Sequence, residues 1–306
     1  MAISAKDVME LRKQTDCGMM ECKKALTDAN GDFEKAVELL RERGLATAAK
    51  KAGRVAAEGM VYADYCPECK VGAVIEVNAE TDFVAKNEKF VAFVKDAAKV
   101  VIQQNPADVE ALMNCKMGNE TVDEALKQLI LVIKENIKVR RFVRYEGVCS
   151  AYVHGGGTHG ILVNFETTNG IEAKDEFVTY GKDIAMQVAA ANPGYVDEAS
   201  VPAEVVAKEK EIMLAQMAGD PKTANKPEAV KQKMIEGKIK KFFKENCLVD
   251  QEFVKDSDLT VAQYTAKVAK DLGGDIKIVK FTRFQKGEGL EKRADDFAAE
   301  VASMVK

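Results

Sequence analysis

Phe90-Val91, Lys95-Asp96, Ala98, Val101 and Asn105-Pro106 recur, in order and at the same spacing, as Phe177-Val178, Lys182-Asp183, Ala185, Val188 and Asn192-Pro193. The offset is constant (177 − 90 = 87), which shared amphipathicity alone does not account for. Both stretches carry apolar residues at helical spacing. Strand-like segments precede each. One opens at Glu58-Gly59-Met60-Val61 with its return ending at Glu80-Thr81-Asp82; the other opens at Glu146-Gly147-Val148-Cys149 with its return ending at Glu166-Thr167-Thr168. The fold class is therefore α+β, with a duplicated core of two small antiparallel sheets backed by helices.

Outward from that core, residues 1–54 read as an N-terminal three-helix module. Ser4 and Asp7 stand in capping-box position, with Val8 and Leu11 on the apolar side. Gly18 breaks the chain, Asn30-Gly31 ends the second helix, and Asp32 caps a third carrying Phe33, Ala36, Val37 and Leu40, closed by Gly44 as a C′ residue. Residues 46–59 read as a linker. The first core subdomain takes residues 55–143 and includes a helix opened by Thr121-x-x-Glu124, running into strand-like Ile137-Lys138-Val139-Arg140-Arg141. The second takes residues 144–196 and 246–284, interrupted at 197–245 by a helical hairpin about Gly219-Asp220-Pro221. Thr260-x-x-Gln263 caps a helix that ends at Gly273-Gly274, a strand follows over 276–284, and residues 285–306 form a C-terminal module with a helix over 294–305.

Lys plus Arg (45) nearly balances Asp plus Glu (49), so no strong field draws the chain to nucleic acid or an anionic membrane. No basic leader with an apolar stretch opens the chain, nothing is long enough to span a bilayer, and the expected location is the cytoplasm. Seven scattered cysteines suit free thiols in a reducing compartment. Cys66-Pro67-Glu68-Cys69 lies between two strand-like runs, where a hairpin tip, half a zinc site and a redox couple are all open readings. His154 and His159 flank a glycine-rich turn, no acid, base and nucleophile group by spacing, and neither a catalytic residue nor a cofactor is expected.

That leaves a binding protein, and the segment that stands out is Ala79-Glu80-Thr81-Asp82-Phe83-Val84-Ala85-Lys86-Asn87, a strand-to-helix connection. Phe83 beside Asp82 either folds into the core or faces a partner. The equivalent place in the second copy, Glu166-Thr167-Thr168-Asn169, has neither the ring nor its adjacent carboxylate, which favours the partner.

An ordered set of strings resembles the bacterial elongation factor Ts family over essentially the whole chain. It comprises Leu11-Arg12 with Thr15, Gly18-Met19-Met20-Glu21-Cys22-Lys23-Lys24-Ala25-Leu26, Asn30-Gly31-Asp32, Ala48-Ala49-Lys50-Lys51-Ala52-Gly53, Thr81-Asp82-Phe83-Val84-Ala85-Lys86, Glu135-Asn136-Ile137 with Arg140-Arg141, His154-Gly155 and Gly287-Glu288-Gly289. The resemblance implies a ubiquitin-associated-like N-terminal module, the duplicated core, the inserted hairpin and a C-terminal module. It also implies a guanine-nucleotide exchange factor for elongation factor Tu, with Thr81, Asp82, Phe83 and Val84 dislodging the partner's Mg²⁺. Leu11, Arg12, Met19, Met20, Lys23, Lys51, Ile133, His154, Met234 and Ile235 would touch that partner. The plainer alternatives are helix core for Leu11 and Met20 and solvated surface for Arg12 and the lysines. Lys134 stands where the family pattern has Gly, and Cys66-Pro67-Glu68-Cys69 departs from the family's hairpin. No direct nucleic-acid or membrane partner is implied, and the helical hairpin could pair with a second copy. An adaptor working through the N-terminal module is the rival reading, with a thiol or zinc protein on Cys66 and Cys69 behind it.

Overall fold

A computed structural model of the chain describes residues 3–15, 17–224 and 226–291. The helix expected over 294–305 lies outside these residues. The described chain is a mixed α+β structure: N-terminal helices, then small antiparallel sheets backed by helices.

Helices α1 (Ala5–Thr15), α2 (Met19–Asp28) and α3 (Phe33–Lys51) pack through Val8, Leu11, Leu26, Ala36 and Leu40. The Ser4–Asp7 box forms, with the Asp7 N–H donating to Ser4 Oγ at 3.2 Å and the Ser4 N–H to Asp7 Oδ2 at 3.0 Å. Gly44 does not close the third helix, and the presumed linker from 46 is helical through Lys51. A Cβ at Gly44 would stand 3.3 Å from the Lys127 carbonyl oxygen, so this glycine is where α3 passes close to a later helix. Glycine in that role looks like a stop signal in the sequence.

The first sheet has the order β1-β2-β5, from β1 (Glu58–Cys66), β2 (Val71–Ala79) and a strand that arrives after five further helices and strands. Between them come α4 (Glu88–Gln104), α5 (Val109–Asn114), the two-residue strands β3 (Lys116–Met117) and β4 (Glu120–Thr121), and α6 (Val122–Ile133). Strand β5 (Ile137–Glu146) pairs with β2 along its whole length, past the subdomain boundary expected at 143. Helix α6 begins at the Thr121–Glu124 capping box and serves two cores. Leu126, Leu129 and Ile130 face β2 and α4, while Leu131 joins the N-terminal helices.

The second sheet, β10-β7-β6, is built from β6 (Val148–His154), β7 (His159–Thr167) and a late strand. Helix α7 (Asp175–Ala191) backs it. A hairpin of α8 (Ala203–Gly219), the short α9 (Pro221–Ala224) and α10 (Glu228–Asn246) follows, then β8 (Glu252–Phe253), β9 (Asp256–Thr260), α11 (Val261–Leu272) and β10 (Ile276–Gln285). Helices α4 and α7 end alike, at Asn105 (φ 48) and Asn192 (φ 46), each in the left-handed region and each before proline.

Side chains alternate along the central strands, as period 2 requires. Ile75 and Val77 face α4, while Val74 meets Leu162 and Cys149 in a core between the two sheets. Added Cβ atoms would meet Leu162 at 2.6 Å from Gly72 and Val61 at 2.4 Å from Gly160, so both backbones must come close there. These contacts are reciprocal, because Gly72, Val61 and Val74 correspond to Gly160, Cys149 and Leu162 at one spacing (160 − 72 = 88).

Lys134, the C-cap of α6, sits in the left-handed region at φ 64, ψ 28. Side chains other than Gly and Asn resist that conformation by roughly 1 kcal/mol. Lys134→Gly is therefore expected to raise stability by about 1 kcal/mol in urea denaturation. A lowered midpoint would show that the Lys134 side chain contributes more than its backbone costs.

The expectation of free thiols fails at one place. Cys66 and Cys69 are joined by a disulfide across the β1–β2 turn, which brings their Cα atoms to 5.4 Å, inside the range a disulfide spans. Cys17, Cys22, Cys115, Cys149 and Cys247 are free. Among the described residues no group of three His, Cys, Asp or Glu could hold a metal ion, and no helix is long and apolar enough to cross a membrane.

Candidate partner-docking site

The turn between β2 and α4 is fastened from beneath. Glu80 Oε1 accepts from the Asn136 N–H at 2.6 Å, and Arg54 reaches the same carboxylate at 3.5 Å. Glu135 accepts from both the N–H (3.0 Å) and the hydroxyl (2.7 Å) of Thr81. Asn87 Oδ1 then caps α4, accepting from the N–H of Lys89 at 3.0 Å. A 3₁₀ turn over Val84–Lys86 joins these anchors, and Val84 is buried against the core that holds Phe90. Phe83, between the anchors, is 79% exposed.

An exposed phenyl ring on a turn held at both ends is the reverse of the buried alternative. The second sheet supplies the comparison. Strand positions of the two units correspond at 88 (Gly59 with Gly147, 147 − 59), and helix positions at 87 (Val84 with Ile171, 171 − 84). Ala79 thus matches Thr167, so the counterpart of the Phe83 turn is Thr168-Asn169-Gly170 and not the Glu166–Asn169 expected from the sequence, because Glu166 and Thr167 still belong to β7. The first turn holds four residues (80–83) before Val84 where the second holds three (168–170) before Ile171. Val84 and Ile171 are both buried, so the packing position is kept. What the first turn adds is one residue, at the place where the ring stands out, and the residue matching Phe83 by helix spacing is Gly170. Val84 supports the turn and offers a partner little surface.

Two expected contact residues, Ile133 and Lys51, are tied to this turn through Lys134 and Glu135. Ile133, half-buried, precedes Lys134 and the Glu135 that grips Thr81, and Lys51 Nζ donates to the Lys134 carbonyl. The Lys89 ammonium lies within electrostatic reach of Cys17, in the loop leading to Met19 and Met20. Burial is the larger influence on Cys17 and pushes its thiol up. Met20 is 74% exposed and Met19 39%, while Arg12 and Lys23 are exposed. His154 is exposed on the β6–β7 turn, whose Gly157 carbonyl accepts from the Val61 N–H at 2.8 Å. That puts it toward the end of β1 that pairs with the close of β2, where Gly59 opposes Asn78.

Three expected contacts are placed otherwise. Leu11 is fully buried among the N-terminal helices, so its side chain has no surface to offer; the helix-core alternative is the one observed. Ile235 is buried with Met217 and Ile239 inside the α8–α10 hairpin, and Met234 packs against the same cluster. Met9, 63% exposed, joins Arg12 and Met19 in a shallow groove and is absent from the family strings, although its position one residue past Val8 turns it off the buried face of α1.

Comparison with known proteins gives one consistent result. The sequence profile of the family described as Elongation factor TS matches residues 80–288. The chain is 48% identical to Elongation factor Ts of Clostridium perfringens (strain 13 / Type A) over 308 residues, 99% of each chain. It is 48% identical to that of Clostridium acetobutylicum over 304 residues, covering 98% of this chain and 97% of the relative. To that of Syntrophotalea carbinolica it is 47% identical over 311 residues, 100% of both.

Proposed function

This chain belongs to the elongation factor Ts family, the guanine-nucleotide exchange factors of elongation factor Tu, and we propose that it opens its partner's nucleotide site with the Phe83 turn. It is thus a cytoplasmic factor of translation elongation and performs no covalent chemistry. The observation that carries the mechanism is the 79% exposure of Phe83 on a turn anchored at Glu80, Thr81, Val84 and Asn87. Because those anchors already hold the turn, little conformational entropy is lost on docking, and burial of the ring goes into binding.

Full burial of a phenylalanine side chain is worth about 1.5–3 kcal/mol. Spent on a partner state whose Mg²⁺ contacts have been displaced, that energy favours the open state over the GDP-bound one. By linkage, GDP then weakens binding of the factor in the same ratio as the factor weakens binding of GDP. Met19, Met20, Arg12, Lys23, Lys51, Ile133 and His154 are the supporting contacts in this reading, and the exposed methionines suit a surface that must adapt to its partner. The exchange factor speeds release in both directions and leaves the overall GDP/GTP balance unchanged.

The direct test is release of labelled GDP from elongation factor Tu with excess unlabelled nucleotide. Substoichiometric amounts of this chain should accelerate it strongly, by turnover. A rate no higher than spontaneous release would sink the proposal and leave the adaptor reading.

A further inference from the structure

The disulfide at the tip of the β1–β2 hairpin has no part in docking through Phe83, which lies at the opposite end of β2. We propose that Cys66 and Cys69 form a reversible dithiol–disulfide site that exchanges electrons with a dithiol protein. Of the two, Cys69 is exposed and Cys66 half-buried, with exposed Pro67 and Glu68 between them, so a thiolate can reach the bond from solvent. Four of the five free cysteines are buried, and burial holds Cys149 and Cys247 thiols up, the latter at about 11, which leaves them unreactive.

The hairpin does not depend on the bond. Strands β1 and β2 pair from Glu58 with Ala79 to Cys66 with Val71. The turn is held as well by Lys70 N–H to Pro67 O (3.3 Å), Gly147 N–H to Lys70 O (2.8 Å) and the Lys70–Glu172 ion pair (3.2 Å). A link over a sequence separation of 3 removes little unfolded-chain entropy, so the fold persists in either redox state. In a reducing compartment a disulfide of this kind is transient, catalytic or sensing rather than a staple.

The turn also sets the direction of exchange. The Cys69 N–H points at Cys66 Sγ from 3.1 Å and stabilises negative charge there; Glu68 Oε2, 3.6 Å from the same sulfur, opposes it in part. Attack therefore falls on the exposed Cys69 sulfur. The carrier's thiolate forms a bond to Cys69 Sγ, the Cys66–Cys69 bond breaks, and Cys66 leaves with the electron pair and takes a proton. The carrier's second thiolate then attacks its own sulfur in the mixed disulfide and releases Cys69, which is protonated in turn. Two electrons and two protons have entered the pair, and the carrier dithiol has become a disulfide.

The full chain, first oxidised with glutathione disulfide and then freed of it, is mixed with NADPH, thioredoxin reductase and catalytic thioredoxin. One NADPH should be consumed per chain, and alkylation should then label Cys66 and Cys69 and no other cysteine beyond those labelled before reduction. The Cys66→Ser/Cys69→Ser double variant, which has no thiol at the turn to oxidise, should consume none. Thioredoxin lacking its resolving cysteine should be trapped on Cys69. No NADPH use by the oxidised chain, failure of the pair to oxidise, or new labels elsewhere overturns the proposal, and trapping on Cys66 overturns the direction of attack.

Discussion

Phe83→Ala is expected to cut the acceleration of GDP release from elongation factor Tu by roughly 30-fold or more, the equivalent of about 2 kcal/mol of lost anchor energy. The loss should fall on the rate at saturating factor, because the ring's burial is assigned to the opened partner state. Stability in urea should move by less than about 0.5 kcal/mol, since a side chain 79% exposed has little folded-state packing to lose. Both readings come from one preparation. Full exchange activity in the variant would remove the ring from the mechanism, whereas a large drop in stability would contradict its exposure.

The second large effect concerns a carboxylate with no role at the partner surface. Glu76, on β2, is fully buried between the sheets. Its oxygens take Arg141 Nε at 2.6 Å, Arg140 Nη1 at 3.0 Å, the Gly287 N–H at 2.8 Å and the Asn78 amide at 3.1 Å. Consecutive residues of a regular strand point to opposite faces, so Arg140 and Arg141 should not both reach it. The ladder explains how they do: Glu76 opposes Arg141 and Val77 opposes Val139, leaving Arg140 as the extra residue of a β-bulge. Arg140 and Arg141 continue to Glu288, through its carbonyl and carboxylate, so the Gly287-Glu288-Gly289 turn after β10 is locked onto the first sheet.

Glu76→Ala strips this knot of its only buried anion and orphans the Gly287 N–H. Removing one partner of a buried pair costs about 3–5 kcal/mol, and the partial exposure of both arginines argues for the lower end, about 3. Urea denaturation at neutral pH checks it; a loss under about 1 kcal/mol would mean that the arginines are as well served by water. The pH dependence has a definite sign. Burial alone raises the Glu76 carboxyl, but the Gly287 N–H, the Asn78 amide and Arg141 overcome it and hold it below the ordinary 4.5. A carboxyl depressed in the folded state contributes stability above its unfolded value, lost as pH falls through the folded one. The stability gap between the natural chain and Glu76→Gln should therefore narrow as pH drops below about 4.

Much of this was legible because it is local. The capping boxes at Thr121–Glu124 and Thr260–Gln263 and the matched helices each rest on residues within a turn or two of one another. Gly44 reads as a stop because close helix packing and helix termination ask for the same residue. Strands β3, β4 and β8, two residues each, are too short to carry a period. Arg140-Arg141 reads only as the end of a strand-like run, and nothing local marks Glu76, because it takes a bulge to turn both guanidinium groups onto this one buried carboxylate. Family matching placed Leu11 and Ile235 at a partner surface, whereas helical periodicity already put Leu11 on the inward face with Val8.

The sequence by itself determined the α+β class, the repeated strand and helix units and the turn where they differ, because repetition and periodicity are properties of residue order. Only the tertiary structure decided that Phe83 faces solvent while its neighbour Val84 is buried, that the first turn is longer by one residue, and that Cys66 meets Cys69. Exposure depends on which distant segments arrive to cover a residue. Here Asn136, Glu135 and Arg54 hold the turn from below and leave the ring uncovered.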